Sequence, residues 1–292
     1  MNLAYRAKRV VKEALGLRQY PRRAPLRPGE LEQQLYSALL RPGDTCFDVG
    51  ANIGDVSLYL ARVVGPEGAV FAFEPVIEAY RELCRNLQGD GYEKAPIMPV
   101  SAGLSDTAGT ATIAMPAGAL ARASMAPPAD WAALQGTATV SRHECEFTTL
   151  DRLLLERRYP TPSFMKIDVE GAELRVLRGG SRAFDSGFRP LMVIELFAPW
   201  ERAFGYGPWD VLSFLSQLEY RFLFVCPAGL VEHTPTRETP FPRDYEAGYN
   251  IVAYVPAAHD KRVRSLDRLR KGSAAVLLPM APAPMPNQIV EV

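Results

Sequence analysis

Cysteine is scarce: the 292 residues contain four, Cys46, Cys84, Cys145 and Cys226, and no two of them form a C-x-x-C pair. That scatter argues against a zinc site or a disulfide framework and fits a reducing compartment. Cys46 and Cys226 lie in apolar, strand-like runs, where a small buried thiol is an ordinary core residue. Net charge is absent as well, with 33 Lys and Arg balancing 33 Asp and Glu. No global field therefore draws the chain to nucleic acid or to an anionic membrane, and a nucleic-acid partner is not expected. Long hydrophobic runs are lacking too. No stretch approaches the roughly 20 apolar residues needed to span a bilayer. The N-terminus has no apolar core of signal-peptide type, so a cytoplasmic location is the expectation. What remains is ordinary for a globular α/β protein, with 48% hydrophobic and 23% charged residues.

The first segment, Met1 to Arg23, carries Arg6, Lys8, Arg9, Lys12, Arg18, Arg22 and Arg23 against one acid, Glu13. Its apolar residues Leu3, Val10, Val11, Ala14 and Leu15 make a weak helical stripe. Such a helix is compatible with a membrane surface, although a solvated helix against the domain is the plainer reading. A second helix is predicted from about Gly29 to Leu40, stopped by Arg41-Pro42-Gly43-Asp44. Residues 1–42 are thus read as a basic helical extension.

From there apolar strands alternate with helices. Strands are predicted at Thr45 to Val49, Val70 to Glu74, Ile97 to Val100, Phe164 to Val169, Leu191 to Leu196, Phe222 to Val225 and Ile251 to Val255. Helices are predicted at Asp55 to Val64, Val76 to Leu87, Ala172 to Leu177 and Trp209 to Leu218. Continuous apolar strands separated by helices imply a mostly parallel sheet covered on both faces. Ligands of such sheets bind in the crevice beyond the carboxyl ends of the strands. Residues 43–256 form this central domain. Within it, residues 105–149 lack helical period and read as short strands flanking a mobile lid. The stretch 257–292, with its basic run from Lys261 to Arg264 and its Pro-rich end, reads as a flexible tail.

Asp48 ends the first strand, and Gly50 and Gly54 bracket the turn into the next helix. Glycine there lets backbone approach a ligand and adopt conformations closed to other residues. A dinucleotide fingerprint would place a second glycine where Asn52 stands, to admit a pyrophosphate. The Asn52 side chain crowds a diphosphate, and the Asp48 carboxylate repels one. Adenosylmethionine presents an ammonium and a sulfonium instead, and both suit a carboxylate neighbour. Asn52 offers an acceptor and donors to the amino-acid end of that cofactor. Glu74, before Pro75, ends the second strand, where a carboxylate can accept hydrogen bonds from ribose hydroxyls. Ser101, just past the third strand, completes the expected cofactor-binding set of Asp48, Gly50, Asn52, Gly54 and Glu74. In the run Phe164 to Glu173, Lys166 and Asp168 share a strand face. A buried lysine is costly unless a carboxylate pairs with it. Glu170 and Glu173 open the following helix, where acids are also plain partners of its dipole.

Taken together, Asp48-Val49-Gly50-Ala51-Asn52-Ile53-Gly54, Phe73-Glu74-Pro75, Thr149-Leu150-Asp151 and the run Lys166 to Glu173 resemble the FkbM family of methyltransferases. Ile194-Glu195 and Asn250-Ile251 follow the same pattern, and the resemblance covers roughly residues 43 to 255. It implies a Rossmann-like class I methyltransferase fold with a mostly parallel seven-stranded sheet, adenosylmethionine as donor, and O-methylation of sugars or other natural products.

A methyl transfer to a hydroxyl calls for a general base. The candidates are Asp168, Glu170, Glu195 and His143, with the carboxylates favoured by their places at strand ends and His143 expected on a solvated loop. His233 is a weaker candidate. No third oxygen ligand stands out beside Asp168 and Glu195, so metal-independent transfer is expected. The expected acceptor is a small molecule or glycan, bordered by the aromatics Trp131, Trp200, Tyr206 and Trp209. Two other readings compete: an NAD-dependent oxidoreductase on a related fold, and a non-catalytic binding module.

Overall fold

The computed structural model describes residues 28–88, 94–116, 123–126, 140–156, 159–226, 229–242 and 249–269. The basic segment, much of the expected lid including Trp131, and the chain after Leu269 lie outside the described residues.

Strands β1 (Thr45–Val49), β2 (Ala69–Phe73), β3 (Ile97–Val100), β7 (Phe164–Ile167) and β8 (Leu191–Leu196) are mutually parallel. They belong to an eight-stranded sheet of order β10-β9-β11-β8-β7-β1-β2-β3. Here β9 is Arg221–Cys226, β10 is Gly229–Glu232, and β11, Tyr249–Tyr254, runs antiparallel to both neighbours. Seven strands were expected. The eighth is β10, a short edge strand that pairs back on β9 as a hairpin and carries little apolar signal of its own.

The strands are apolar on both sides because helices cover both faces. One face holds Phe47, Phe73, Met165, Ile167 and Ile194 against Leu174, Leu177 and Leu212. The other holds Cys46, Val70, Phe164, Leu191 and Val193 against Leu35, Leu39, Leu60 and Val64. Helices α1 (Pro28–Leu39) and α2 (Asp55–Val64) lie on this second face. Helix α2 buries Ser57, Leu60, Ala61 and Val64, the i, i+3, i+4, i+7 stripe of an amphipathic helix. The remaining helices are α3 (Ile77–Asn86), α4 (Leu150–Leu155), α5 (Glu173–Arg178), α6 (Ser181–Asp185), α7 (Ala198–Ala203), α8 (Pro208–Gln217) and α9 (Pro256–Val263).

Two expectations are corrected. The strands expected to be short are long: β5 (Gly109–Pro116) pairs along its whole length with β6 (Val140–Thr148), and β4 (Gly103–Leu104) completes a second, three-stranded sheet. Its inward residues Ile113, Met115, Cys145 and Phe147 pack on Val76 and Ala79. The Ala and Thr content of this stretch hides a period-two pattern from a search for helical period. Residues 257–269, expected to belong to a flexible tail, form helix and a 3₁₀ turn. Helix α9 and the 3₁₀ turn Arg264–Leu269 bury Val263, Leu266 and Leu269, packing against α1. Three apolar residues at spacing three were outweighed in the sequence by the surrounding charge.

Candidate functional site

The parallel strands direct their carboxyl ends to one edge, and the glycine turn after β1 sits at its centre. Asp48 is fully buried, so desolvation raises its carboxyl pKa, while the Lys166 ammonium and the Ser57 hydroxyl pull it back. Its Oδ2 accepts from Ser57 Oγ at 2.6 Å, whereas Oδ1, 4.0 Å from Lys166 Nζ, has no hydrogen-bond donor. Gly50 has φ of 84°, and a Cβ built there would stand 2.0 Å from the Asp168 carbonyl oxygen. The Gly50 and Ala51 amides both donate to the Phe73 carbonyl at 3.0 Å, which draws the turn over β2. Asn52 also takes a positive φ, 50°, which asparagine tolerates better than most residues. Its side-chain oxygen is buried without a partner. Asn86 fastens the turn from α3 by donating to the Ile53 carbonyl at 2.9 Å.

Glu74 bridges this turn to the second strand. Oε2 accepts the Asn52 amide at 2.8 Å and Oε1 accepts the Val76 amide at 2.9 Å. Burial pushes its carboxyl up to about 7, against the lowering effect of those two bonds. Each oxygen keeps a second lone pair for a ligand hydroxyl. Ser101 lies exposed beyond β3, beside the Val100 carbonyl that accepts from the Glu74 amide at 3.0 Å.

Lys166 and Asp168 form the pair expected of them, at 3.1 Å. The lysine side chain is 7% exposed and that of Asp168 23%, so the carboxylate presents one side to the crevice. The loop beyond it is tightly specified. Glu170 has φ of 51° and its carbonyl accepts from Ser124 Oγ at 3.0 Å. Gly171 has φ of 100°, and a Cβ there would meet the Trp200 backbone at 2.7 Å. Glu173 turns inward and its Oε1 gathers the Val169 and Gly171 amides at 3.1 and 3.2 Å. Its geometry is that of a loop-shaping group, with burial raising its carboxyl to about 7. Tyr206 donates to the Gly171 carbonyl. Behind it lies Glu201, fully buried, both oxygens without a hydrogen-bond partner, its carboxyl pushed up to about 9 by burial and then by the nearby Glu173.

Glu195 lies near the end of β8, in register with Asn250 of β11. Alternation along the strands puts Asp48, Lys166, Glu195 and Asn250 on the face covered by α1. The Asn250 amide donates to Glu32 Oε1 of α1 at 2.5 Å. His143 is elsewhere. It sits on β6 rather than on a solvated loop, with its ring nitrogens engaged by Ser141 Oγ at 2.8 Å and Glu78 Oε2 at 3.3 Å. His233 is bound to the Thr239 carbonyl at 2.9 Å and stacks edge-on to Phe224. Sequence reasoning missed Ser57, Asn86, Ser124, Glu32 and Glu201, single polar residues whose meaning comes from the fold. Among the described residues no helix is long and apolar enough to cross a membrane.

Residues 48–222 match the family model described as the methyltransferase FkbM domain. The chain is 30% identical over 194 residues to the hexuronic acid methyltransferase AglP of Haloferax volcanii, covering 64% of this chain and 68% of that protein. It is similar to the crystal structure of methyltransferase FkbM from Methylobacillus flagellatus, with a TM-score of 0.43 and 18% identity over 78% of this chain and 50% of that one. The chain thus spans half the length of that protein. A SAM-dependent O-methyltransferase from Thermotoga maritima gives a TM-score of 0.40 at 13% identity, covering 84% of this chain and 71% of that one.

Proposed function

We propose, since the chain belongs to the FkbM methyltransferase family, that it is an adenosylmethionine-dependent O-methyltransferase acting on a hydroxyl of a sugar or other polyhydroxylated natural product. The observation that carries this reading is the contact between the glycine turn and the Asp168 loop, where only a residue without Cβ fits at Gly50. In this reading the turn is the donor cradle, and the Asp168 carboxylate beside it is the base. The residues fit the donor: Asp48 Oδ1 and Asn52 Oδ1 are buried acceptors that receive no hydrogen bond, and Glu74 has lone pairs for ribose hydroxyls. The hexuronic acid methyltransferase relative supports a sugar acceptor.

Adenosylmethionine, when bound, supplies an electrophilic methyl group on its sulfonium. The chain contributes position and proton handling. Asp168, steadied by Lys166, takes the proton of the acceptor hydroxyl as the O–CH₃ bond forms and the S–CH₃ bond breaks, leaving S-adenosylhomocysteine. Glu195 is the second candidate for that proton. Glu170 serves by its backbone in shaping the loop. Positioning supplies up to about 7–11 kcal/mol of such a barrier, and a general base about 10²–10⁴-fold. No metal ion takes part in this scheme.

Calorimetric titration with S-adenosylhomocysteine tests the donor half, and binding of NAD in its place would overturn it. Labelled adenosylmethionine with a glycan panel tests the acceptor half. Label should appear on oxygen, persist in excess chelator, and fall about 10²–10⁴-fold in Asp168→Asn.

A further inference from the structure

Helix α7 follows β8 and buries Trp200 and Glu201. Its main chain packs on the loop after Asp168, since a Cβ at Gly171 would stand 2.7 Å from the Trp200 carbonyl carbon. Glu201 is 0% exposed, yet neither of its oxygens receives a hydrogen bond. A carboxylate without donors in such a place is costly, and the group avoids that cost by keeping its proton. Among charged groups Glu173 of α5 acts on it most strongly, and Asp210 of α8 adds to that repulsion. Arg202, the next residue on α7, opposes both from an exposed position. Tyr206, between α7 and α8, is acted on by Glu173, Glu201 and Arg175, and its hydroxyl donates to the Gly171 carbonyl. Asp168 in turn repels Glu173. Glu173 Oε1 accepts the Val169 and Gly171 amides, while Oε2 is buried and receives no hydrogen bond. Two donors favour the charged form of Glu173, so the proton of this pair belongs on Glu201.

We infer that Glu201 is a positioning residue for the Asp168 loop: uncharged, it lets Glu173 stay turned inward on the Val169 and Gly171 amides, and its ionisation releases them and weakens the donor site. With both carboxyls ionised, like charges face each other in a place sealed from water. Relief comes when Glu173 swings out or water enters, and either event frees the two amides. The loop reaches the glycine turn directly, because the Asp168 carbonyl oxygen lies 2.0 Å from where a Cβ on Gly50 would stand. The effect on the loop stands apart from the donor reading above, on which the effect on binding rests.

Pulsed amide hydrogen exchange of the full chain at about pH 7.5 and about pH 10 tests this, with Glu201→Gln and Glu173→Gln beside the wild type. The amides of Ile167 and Ile194, in central strands, report global opening. At about pH 10, roughly one unit above the Glu201 value of about 9, about nine-tenths of that carboxyl is ionised. Protection of Val169 and Gly171 relative to the strand amides should then fall about tenfold in the wild type and stay within about twofold in Glu201→Gln. Glu173→Gln should lower it already at about pH 7.5, since an amide oxygen accepts less strongly than a carboxylate. Over the same range S-adenosylhomocysteine affinity should fall about tenfold more in the wild type than in Glu201→Gln, the amino group of the ligand titrating alike with both. Matching protection profiles for wild type and Glu201→Gln would overturn the inference, as would a loss shared equally by Ile167 and Ile194. Loosened loop amides without a difference in donor affinity would overturn it too, and so would unchanged protection in Glu173→Gln. No S-adenosylhomocysteine binding to any of the three proteins would reject the donor reading, while the amides still decide the role of Glu201 in the loop.

Discussion

Arg262 clasps Asp44 across 218 residues of sequence, its Nη1 and Nη2 lying 2.7 and 2.8 Å from the two carboxylate oxygens. Asp44 precedes β1 and also accepts from the Arg41 amide and from Ser163 Oγ, both at 2.8 Å. The fork therefore ties α9 to the start of the two central strands. Arg262→Ala leaves the mostly buried carboxylate without a cation and should cost about 2–3 kcal/mol. Arg262→Lys should recover only part, because an ammonium cannot bond both oxygens in one plane. Urea midpoints of the three proteins decide this, and an unchanged midpoint for the alanine variant would show the clasp to be superficial.

The same pair shows what the sequence could not tell. The strand–turn–helix alternation from Thr45 onward was legible, because runs such as Thr45–Val49 are apolar on both faces and the structure places strands there. The FkbM family was legible in motifs that the match over residues 48–222 bears out. Arg262 was not, since in sequence it is one member of a basic run taken for a flexible tail. Its partner is fixed only when α9 folds back on the sheet. Glu74 was legible as a strand-end carboxylate, but not as the bridge between Asn52 and Val76. That bridge depends on Asn52 entering the left-handed region, which residue type permits but does not dictate.

Lys166 is the counter-charge of a carboxylate that has no access to water. Lys166→Met keeps volume and removes charge, leaving Asp48 with the Ser57 hydroxyl as its hydrogen-bond partner. The expected loss is about 3–5 kcal/mol, the range for breaking a buried pair by removing one partner. Asp48→Asn combined with Lys166→Met should then recover at least about 1 kcal/mol relative to the sum of the single changes. Additive losses in guanidinium unfolding would show that the two charges do not depend on each other.

Between 4.5 and about 9 the Glu201 carboxyl should make stability fall as pH rises. Its folded pKa, about 9, lies above the ordinary 4.5, so between those values the folded state holds a proton that the unfolded state has released. Unfolding then releases protons and becomes easier as pH rises, by up to about 1.4 kcal/mol per pH unit. The benefit is complete below the unfolded value and is lost through the folded one. Glu74 and Glu173, each about 7, add the same sign over a narrower window. Glu201→Gln copies the neutral form, so the variant should equal the wild type near about pH 4 and exceed its stability by about 2 kcal/mol or more near about pH 8. Parallel denaturation profiles for the two proteins would remove Glu201 from the account.

Gly50 and Gly65 together separate backbone strain from lost space. Both have positive φ, 84° and 66°, but a Cβ at Gly50 meets the Asp168 carbonyl at 2.0 Å while one at Gly65 meets nothing within 4 Å. Gly65 has φ of 66° and ψ of −179°, a region essentially reserved for glycine, so Gly65→Ala should cost about 1–3 kcal/mol of backbone strain and leave donor binding intact. Gly50→Ala carries a positive-φ penalty of its own plus an overlap with main-chain atoms that no rotamer change relieves. The turn must lift from the Asp168 loop, which displaces Asn52 and its bond to Glu74. S-adenosylhomocysteine affinity should fall at least about 100-fold, or about 2.7 kcal/mol, with the far-UV spectrum preserved. Equal donor affinity in the two variants would mean that the contact between the turn and the Asp168 loop does not shape the donor site.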